Sequence, residues 1–322
     1  MKSPFICLFT CFFILMAPAQ KKSISLDQIW DGSFRTQEMI ALHSMNNGQQ
    51  YSVLNFDRSS RSTSIDLYDY KTLSKVKTIA TSQMMDAIPY FTNYTFSDDE
   101  RQVLLETETE PIFRYSLLGL YYVYNIRSES LEKVSDYKIQ EPAFSPDGTK
   151  VAYGRNNNIF IKDLISGTTK QITFDGEKNK IINGITDWVY EEEFAFVRAF
   201  EWNASSNKIA FIRFDETDVP EFSMDIYGTE LYQTQEVFKY PKAGETNAEV
   251  SLHFYDLSTE DISSIPLSKD YNDFYIPRIK WTKDPDVLSA QYMNRHQNTL
   301  DLWLINPTTT QSDLVLTDKD DA

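Results

Sequence analysis

The chain has 322 residues, the length of about two average domains or of one large all-β domain. A composition of 41% hydrophobic and 14% aromatic residues is enough to bury a core and excludes disordered and collagen-like classes. With 31 Lys and Arg against 47 Asp and Glu, the net charge of −16 argues against a nucleic-acid groove or an anionic membrane surface as partner and suits a cationic ligand.

At the N-terminus, Lys2, the apolar run Phe5 to Met16 and Ala17-Pro18-Ala19 read as an export signal over residues 1–19, with the mature chain starting near Gln20. The run of about twelve residues falls short of the roughly 20 that span a bilayer, so a cleaved signal is expected, with no membrane span after it. The expected location is periplasmic or extracellular. Leu8-Phe9-Thr10-Cys11 is a poor lipoprotein box, because bulky or polar residues stand where small ones are needed. Cys7 and Cys11 both lie in the leader, so the mature chain is expected to hold neither a disulfide nor a thiol nucleophile.

Beyond the leader one pattern recurs: a large apolar residue, a turn rich in Ser, Asp, Asn or Gly, then alternating β-branched and aromatic residues. The clearest copy runs from Phe144 through Ser145-Pro146-Asp147-Gly148 to Tyr153; others start at Met45, Phe96, Trp202 and Trp281. Pro-Asp-Gly is turn chemistry and demands flanking strands. The starts lie 51, 48, 58 and 79 residues apart, near the roughly 40 to 50 of four-stranded propeller blades, with an insertion before the fifth. An all-β propeller of about five blades is predicted, with a β-sandwich or solenoid as the competing reading. An arc of five leaves a blade face and strand edges uncovered, so closure by further blades is expected and the isolated arc is expected to aggregate.

Between the third and fourth blades stands Asn183-Gly-Ile-Thr-Asp-Trp-Val-Tyr-Glu-Glu-Glu-Phe194. Asp187 suits the N-cap of a short helix whose first turn holds Trp188, Val189 and Tyr190. Three glutamates near a helix N-terminus fit a solvated surface turn. They also fit a binding role: Trp188, Tyr190, Phe194 and Phe196 anchor the segment, and Glu192 and Glu193, diverging by about 100°, offer two carboxylates to one small cation. An α-ammonium has three donors for such a pair. The alternate-Asp spacing of a calcium loop is missing, and His43, His253 and His296 are scattered singly, so no metal site and no cofactor are expected.

This segment closely resembles the motif of the dipeptidyl peptidase IV family of prolyl oligopeptidase-type serine peptidases. Phe214 to Phe222, Tyr240 to Asn247 and Gln291 to Asn298 are similar to that family's propeller, in the same order. The resemblance implies an eight-bladed propeller joined to a C-terminal α/β-hydrolase domain, and removal of Xaa-Pro or Xaa-Ala dipeptides from free N-termini. It implies that Glu192 and Glu193 bind the substrate's α-ammonium. Arg114, in Glu110-Pro-Ile-Phe-Arg-Tyr-Ser116, matches the arginine that holds the substrate's backbone carbonyl; a surface pairing with Glu110 or Glu108 is its alternative reading. The insertion near 225–249 resembles the arm through which family propellers form homodimers.

One departure is large. Of ten glycines the last is Gly244, and no two stand four apart, so the chain has no G-x-S-x-G turn. The catalytic Ser, Asp and His are expected outside these residues, and the chain is expected to be inactive alone: a signal peptide, then a partial propeller over 20–322. A non-catalytic propeller, or an inactive relative that captures amines or N-termini, is the alternative. The sequons Asn93-Tyr-Thr95 and Asn203-Ala-Ser205 matter only in a glycosylating host.

Overall fold

Each of the five repeated turns joins the first and second strands of an antiparallel sheet. The computed structural model describes residues 23–36, 41–265 and 271–320; the leader at 1–19, with Cys7 and Cys11, lies outside the described residues. The chain divides into two units, 1–41 and 42–322. The first carries helix α1 (Leu26–Trp30), closed by a capping box between Ser25 and Gln28.

Among the described residues the second unit holds six sheets, five blades and one two-stranded ribbon. The first blade is β1 (Leu42–Ser44), β2 (Gln50–Asp57), β3 (Ser62–Asp69) and β4 (Lys75–Thr81); the second is β5 (Asn93–Phe96), β6 (Gln102–Pro111), β7 (Leu117–Asn125) and β8 (Ser130–Lys133). The third is β9 (Gln140–Phe144), β10 (Lys150–Arg155), β11 (Asn158–Asp163) and β12 (Thr169–Gln171). The fourth comprises β13 (Ile181–Asn183), β14 (Phe200–Trp202), β15 (Lys208–Asp215), β18 (Glu249–Asp256) and β19 (Ile262–Ser264), with a separate ribbon of β16 (Glu221–Ile226) and β17 (Thr234–Lys239). The fifth is β20 (Phe274–Trp281), β21 (Leu288–Asn294), β22 (Thr299–Asn306) and β23 (Gln311–Lys319). The repeated apolar residues therefore close the first strand of each blade, or follow it directly at Met45, instead of opening the blade.

Strand alternation builds the core between consecutive sheets. Val103 and Leu105 pack with the first blade, whereas Leu104 between them packs with the third. Likewise Ile209 and Phe211 join the core shared with the third blade, and Ala210, Ile212 and Phe214 the core shared with the fifth. A period of two thus gives each strand two apolar faces, as stacked blades require. The structure is five consecutive blades of a β-propeller.

The turns themselves link the blades. Asn46 Nδ2 donates to Asp98 O (2.8 Å), Gln102 Nε2 to Gly148 O (3.0 Å), Ser206 Oγ accepts from Asp147 N (3.0 Å), and Asn203 Nδ2 donates to Pro285 O (3.0 Å). This belt accounts for the polar residues that recur there.

Two insertions depart from the simple meander, both in the fourth blade. The acidic segment does not lie between the third and fourth blades: β13 and β14 both pair with β15, so the segment interrupts the fourth blade's own first strand. The ends of this excursion stay joined, with Thr186 N donating to Val197 O and Ala199 N to Gly184 O, both at 2.9 Å. The long insertion belongs to the same blade, between β15 and β18, and its paired part is Glu221–Lys239.

Candidate functional site

The excursion carries helix α2 (Trp188–Phe194). Asp187 caps it, its side chain accepting from Tyr190 N at 3.0 Å, and Ala195 ends it in the left-handed region. The fifth blade holds both ends: Ile276 N donates to Tyr190 Oη (2.7 Å), and Arg278 Nη2 donates to Phe194 O (2.7 Å). The Tyr190 ring is fully enclosed and lies against Phe214 at 4.8 Å and Phe194 at 5.1 Å. A seven-residue helix is marginal alone, so these contacts fix it.

The three glutamates have three different surroundings. Glu191 is 1% exposed and its Oε1 accepts from the backbone N–H groups of Tyr115 (2.6 Å) and Ser116 (2.8 Å), in the loop between β6 and β7. Glu192 is half-buried, and its carboxylate accepts from Arg114 Nε at 2.8 and 3.2 Å. Glu193 is exposed. Arg114 sits in the same β6–β7 loop, 65% exposed along its side chain. It is paired with Glu192, not with Glu110, which binds Lys138 at 2.6 Å.

Glu192, Glu193 and Arg114 line one open cleft of about 1260 Å³. Its other wall is the ribbon. Phe222 pairs with Phe238 and Met224 with Glu236, so alternate residues of both strands face the cleft together with Tyr240. Ring contacts join the walls: Phe113 meets Phe238 at 5.6 Å, Phe222 meets Tyr240 at 5.4 Å, and Tyr240 meets Trp188 at 4.3 Å. The cleft thus carries the aromatic side chains of the ribbon opposite the helix's Glu192 and Glu193, and across its whole lining these two glutamates and Glu236 are balanced by Arg114, Lys242 and Arg295.

Behind the helix lie two buried acids. Burial pushes the Asp187 carboxyl up to about 6, and burial together with the Asp187 charge pushes Glu216 up to about 7. Among the described residues no three His, Cys, Asp or Glu side chains gather as a metal site. His253 stacks on Phe211 at 5.3 Å and bonds Ser251 (2.8 Å), and His43 packs against Phe96 at 5.0 Å.

Glu192, Glu193 and Arg114, the three residues expected from the sequence, meet at this cleft. The burial of Glu191, which depends on a loop 75 residues away, and the ribbon's aromatic face are added by the fold. The alternation Phe222-Ser-Met224 was the signal for that face.

A family model described as the dipeptidyl peptidase IV N-terminal region matches residues 97–322. The human protein named prolyl endopeptidase FAP is 30% identical over 286 residues, covering 86% of this chain and 36% of that protein. A Talaromyces stipitatus protein named Probable dipeptidyl-aminopeptidase B is 31% identical over 240 residues, covering 69% of this chain and 26% of its own length. The crystal structure of Porphyromonas gingivalis dipeptidyl peptidase 4 superimposes with a TM-score of 0.86 at 36% identity, over 93% of this chain and 43% of that one. The chain spans less than half the length of each of these relatives. On the match over 97–322, which runs from the second blade's first turn to the end of the fifth blade, the chain belongs to the dipeptidyl peptidase IV family, as its N-terminal propeller region.

Proposed function

We propose that this propeller recognises substrates for an exported serine-type dipeptidyl peptidase that removes Xaa-Pro or Xaa-Ala dipeptides from free N-termini. The observation that carries the reading is the meeting of Glu192, Glu193 and Arg114 at one cleft. Glu192 and Glu193 accept the hydrogen bonds of the substrate's α-ammonium. Arg114, bound to Glu192 through Nε alone, has four further N–H donors for a backbone carbonyl of the same dipeptide. Fixing the free amine at one end measures two residues to the scissile bond and enforces the exopeptidase register.

The nucleophile, oxyanion hole and general base come from an α/β-hydrolase domain outside these residues, and the region alone is inactive. The insertion near 225–249 also serves homodimerisation of the whole protein. The names of the relatives, which are peptidases, support the reaction class.

Glu193→Gln in the full-length protein tests the reading. Turnover of an unblocked Xaa-Pro reporter is expected to fall by the equivalent of about 2–5 kcal/mol, because an ammonium is left partly unpaired in a confined site. Unchanged turnover would sink the assignment. Binding of the peptide with no cleavage by the full-length wild type would favour an amine-capturing propeller instead.

A further inference from the structure

We propose that Glu191 is a positioning residue that acts through Arg114 and does not contact substrate. This rests on the reading of Glu192, Glu193 and Arg114 given above. Glu191 has no free face for a ligand, since it is 1% exposed and its Oε1 accepts from the Tyr115 and Ser116 N–H groups at 2.6 and 2.8 Å. Those two residues directly follow Arg114. The helix belongs to the fourth blade and the loop to the second, so this one oxygen clamps the loop across the intervening blade.

Arg114 needs such a clamp. Its side chain is 65% exposed, and the Glu192 pair is a weak constraint by itself at that exposure. Two short hydrogen bonds to the adjoining backbone, from Tyr115 N and Ser116 N to one enclosed oxygen, are a stronger one. The role of Glu191 is therefore hydrogen bonding, not charge. Both bonds end on a single oxygen, so the amide oxygen of glutamine can replace it.

A thermodynamic cycle in the full-length protein tests this, with kcat and KM for an unblocked Xaa-Pro reporter and a thermal melt for each variant. Glu191→Ala leaves two backbone donors unpaired and is expected to raise KM about 10- to 100-fold with kcat little changed. Glu191→Gln is expected to stay within about threefold of wild type, because it keeps the acceptor. In an Arg114→Ala background, Glu191→Ala is expected to add less than about threefold, because coupled residues are not additive. Should Glu191→Ala fail to fold, Glu191→Asp withdraws the oxygen by one methylene at constant charge and is expected to show the same Arg114-dependent loss.

A full penalty in the Arg114→Ala background would overturn the proposal, as would wild-type kinetics for both Glu191→Ala and Glu191→Asp. A Glu191→Gln defect as deep as that of Glu193→Gln would make Glu191 a charge ligand and overturn it too. Loss of turnover in Glu193→Gln beside a silent Glu191→Ala sinks this role alone. A silent Glu193→Gln sinks the underlying reading, and this role with it.

Discussion

Arg114 Nε lies 2.8 Å from Glu192 Oε2, although 78 residues separate them and they stand on different blades. The pair is exposed on the arginine side, so its worth to stability is small. Arg114→Ala is therefore expected to melt within a few degrees of wild type while losing about 10- to 100-fold in kcat/KM on an unblocked dipeptide reporter. Parallel melts and kinetics check this; a large loss of stability would make Arg114 a structural residue.

The buried acids behind α2 set a pH dependence. Asp187 and Glu216 stand near 6 and 7 against ordinary values of 3.8 and 4.5, so the native state holds protons that the unfolded chain has released. The stability this gives is complete below about pH 4 and is lost as pH rises through 6 to 7. Glu216→Gln, a neutral mimic of the protonated acid, is expected to match wild type near pH 4 and to exceed it by up to about 3 kcal/mol at pH 8. Urea unfolding at both pH values measures the difference; a difference that shrinks with rising pH contradicts the assignment.

Gly184, at the mouth of the excursion, has φ +70, and a Cβ there would meet Ile159 Cδ1 at 2.6 Å. Ile159 belongs to the core between the third and fourth blades and cannot easily yield. Gly184→Ala is expected to cost about 2–4 kcal/mol from strain and overpacking together. Gly244→Ala, with φ +86 and nothing within 4 Å, carries the backbone penalty alone, about 1 kcal/mol. Denaturant curves for the two variants separate the clash from the conformation.

Asn203 illustrates the belt of turns. It is fully buried, accepts from Asn207 N (3.0 Å) and Lys208 N (2.9 Å), and donates to Asn207 Oδ1 (2.8 Å) and Pro285 O (3.0 Å). Asn203→Ala is expected to cost about 2–3 kcal/mol by leaving buried groups unpaired. The same burial keeps its sequon from a glycosyltransferase once the fold has formed, whereas Asn93 is exposed. When the folded protein is treated in vitro with an oligosaccharyltransferase, mass spectrometry is expected to find glycan on Asn93 and none on Asn203.

The blade number and the helix were legible in the sequence because both rest on local chemistry: Ser, Asp, Asn and Gly at the turns, and Asp187 at an N-cap. The interruption of the fourth blade was not. β13 and β14 are three residues each, too short for a periodic signal, and only their shared pairing with β15 makes them one strand. Glu192 and Glu193 were legible through a motif, and Arg114 through a looser match. Glu191 stands beside them with the same side chain, and only the docking of Tyr115 and Ser116 separates its role from theirs. The ribbon's cleft-facing aromatics are hidden for a similar reason, since their contacts with Phe113 and Trp188 are tertiary.

Glu192 and Glu193 are proposed to receive a peptide's free amine. A crystal structure of the full-length protein with a dipeptide amide bearing a free N-terminus tests it most directly. The α-nitrogen is expected about 2.7–3.0 Å from carboxylate oxygens of both residues, with an Arg114 N–H on a peptide carbonyl. A dipeptide bound with its amine elsewhere, and these carboxylates facing only water, would contradict the account.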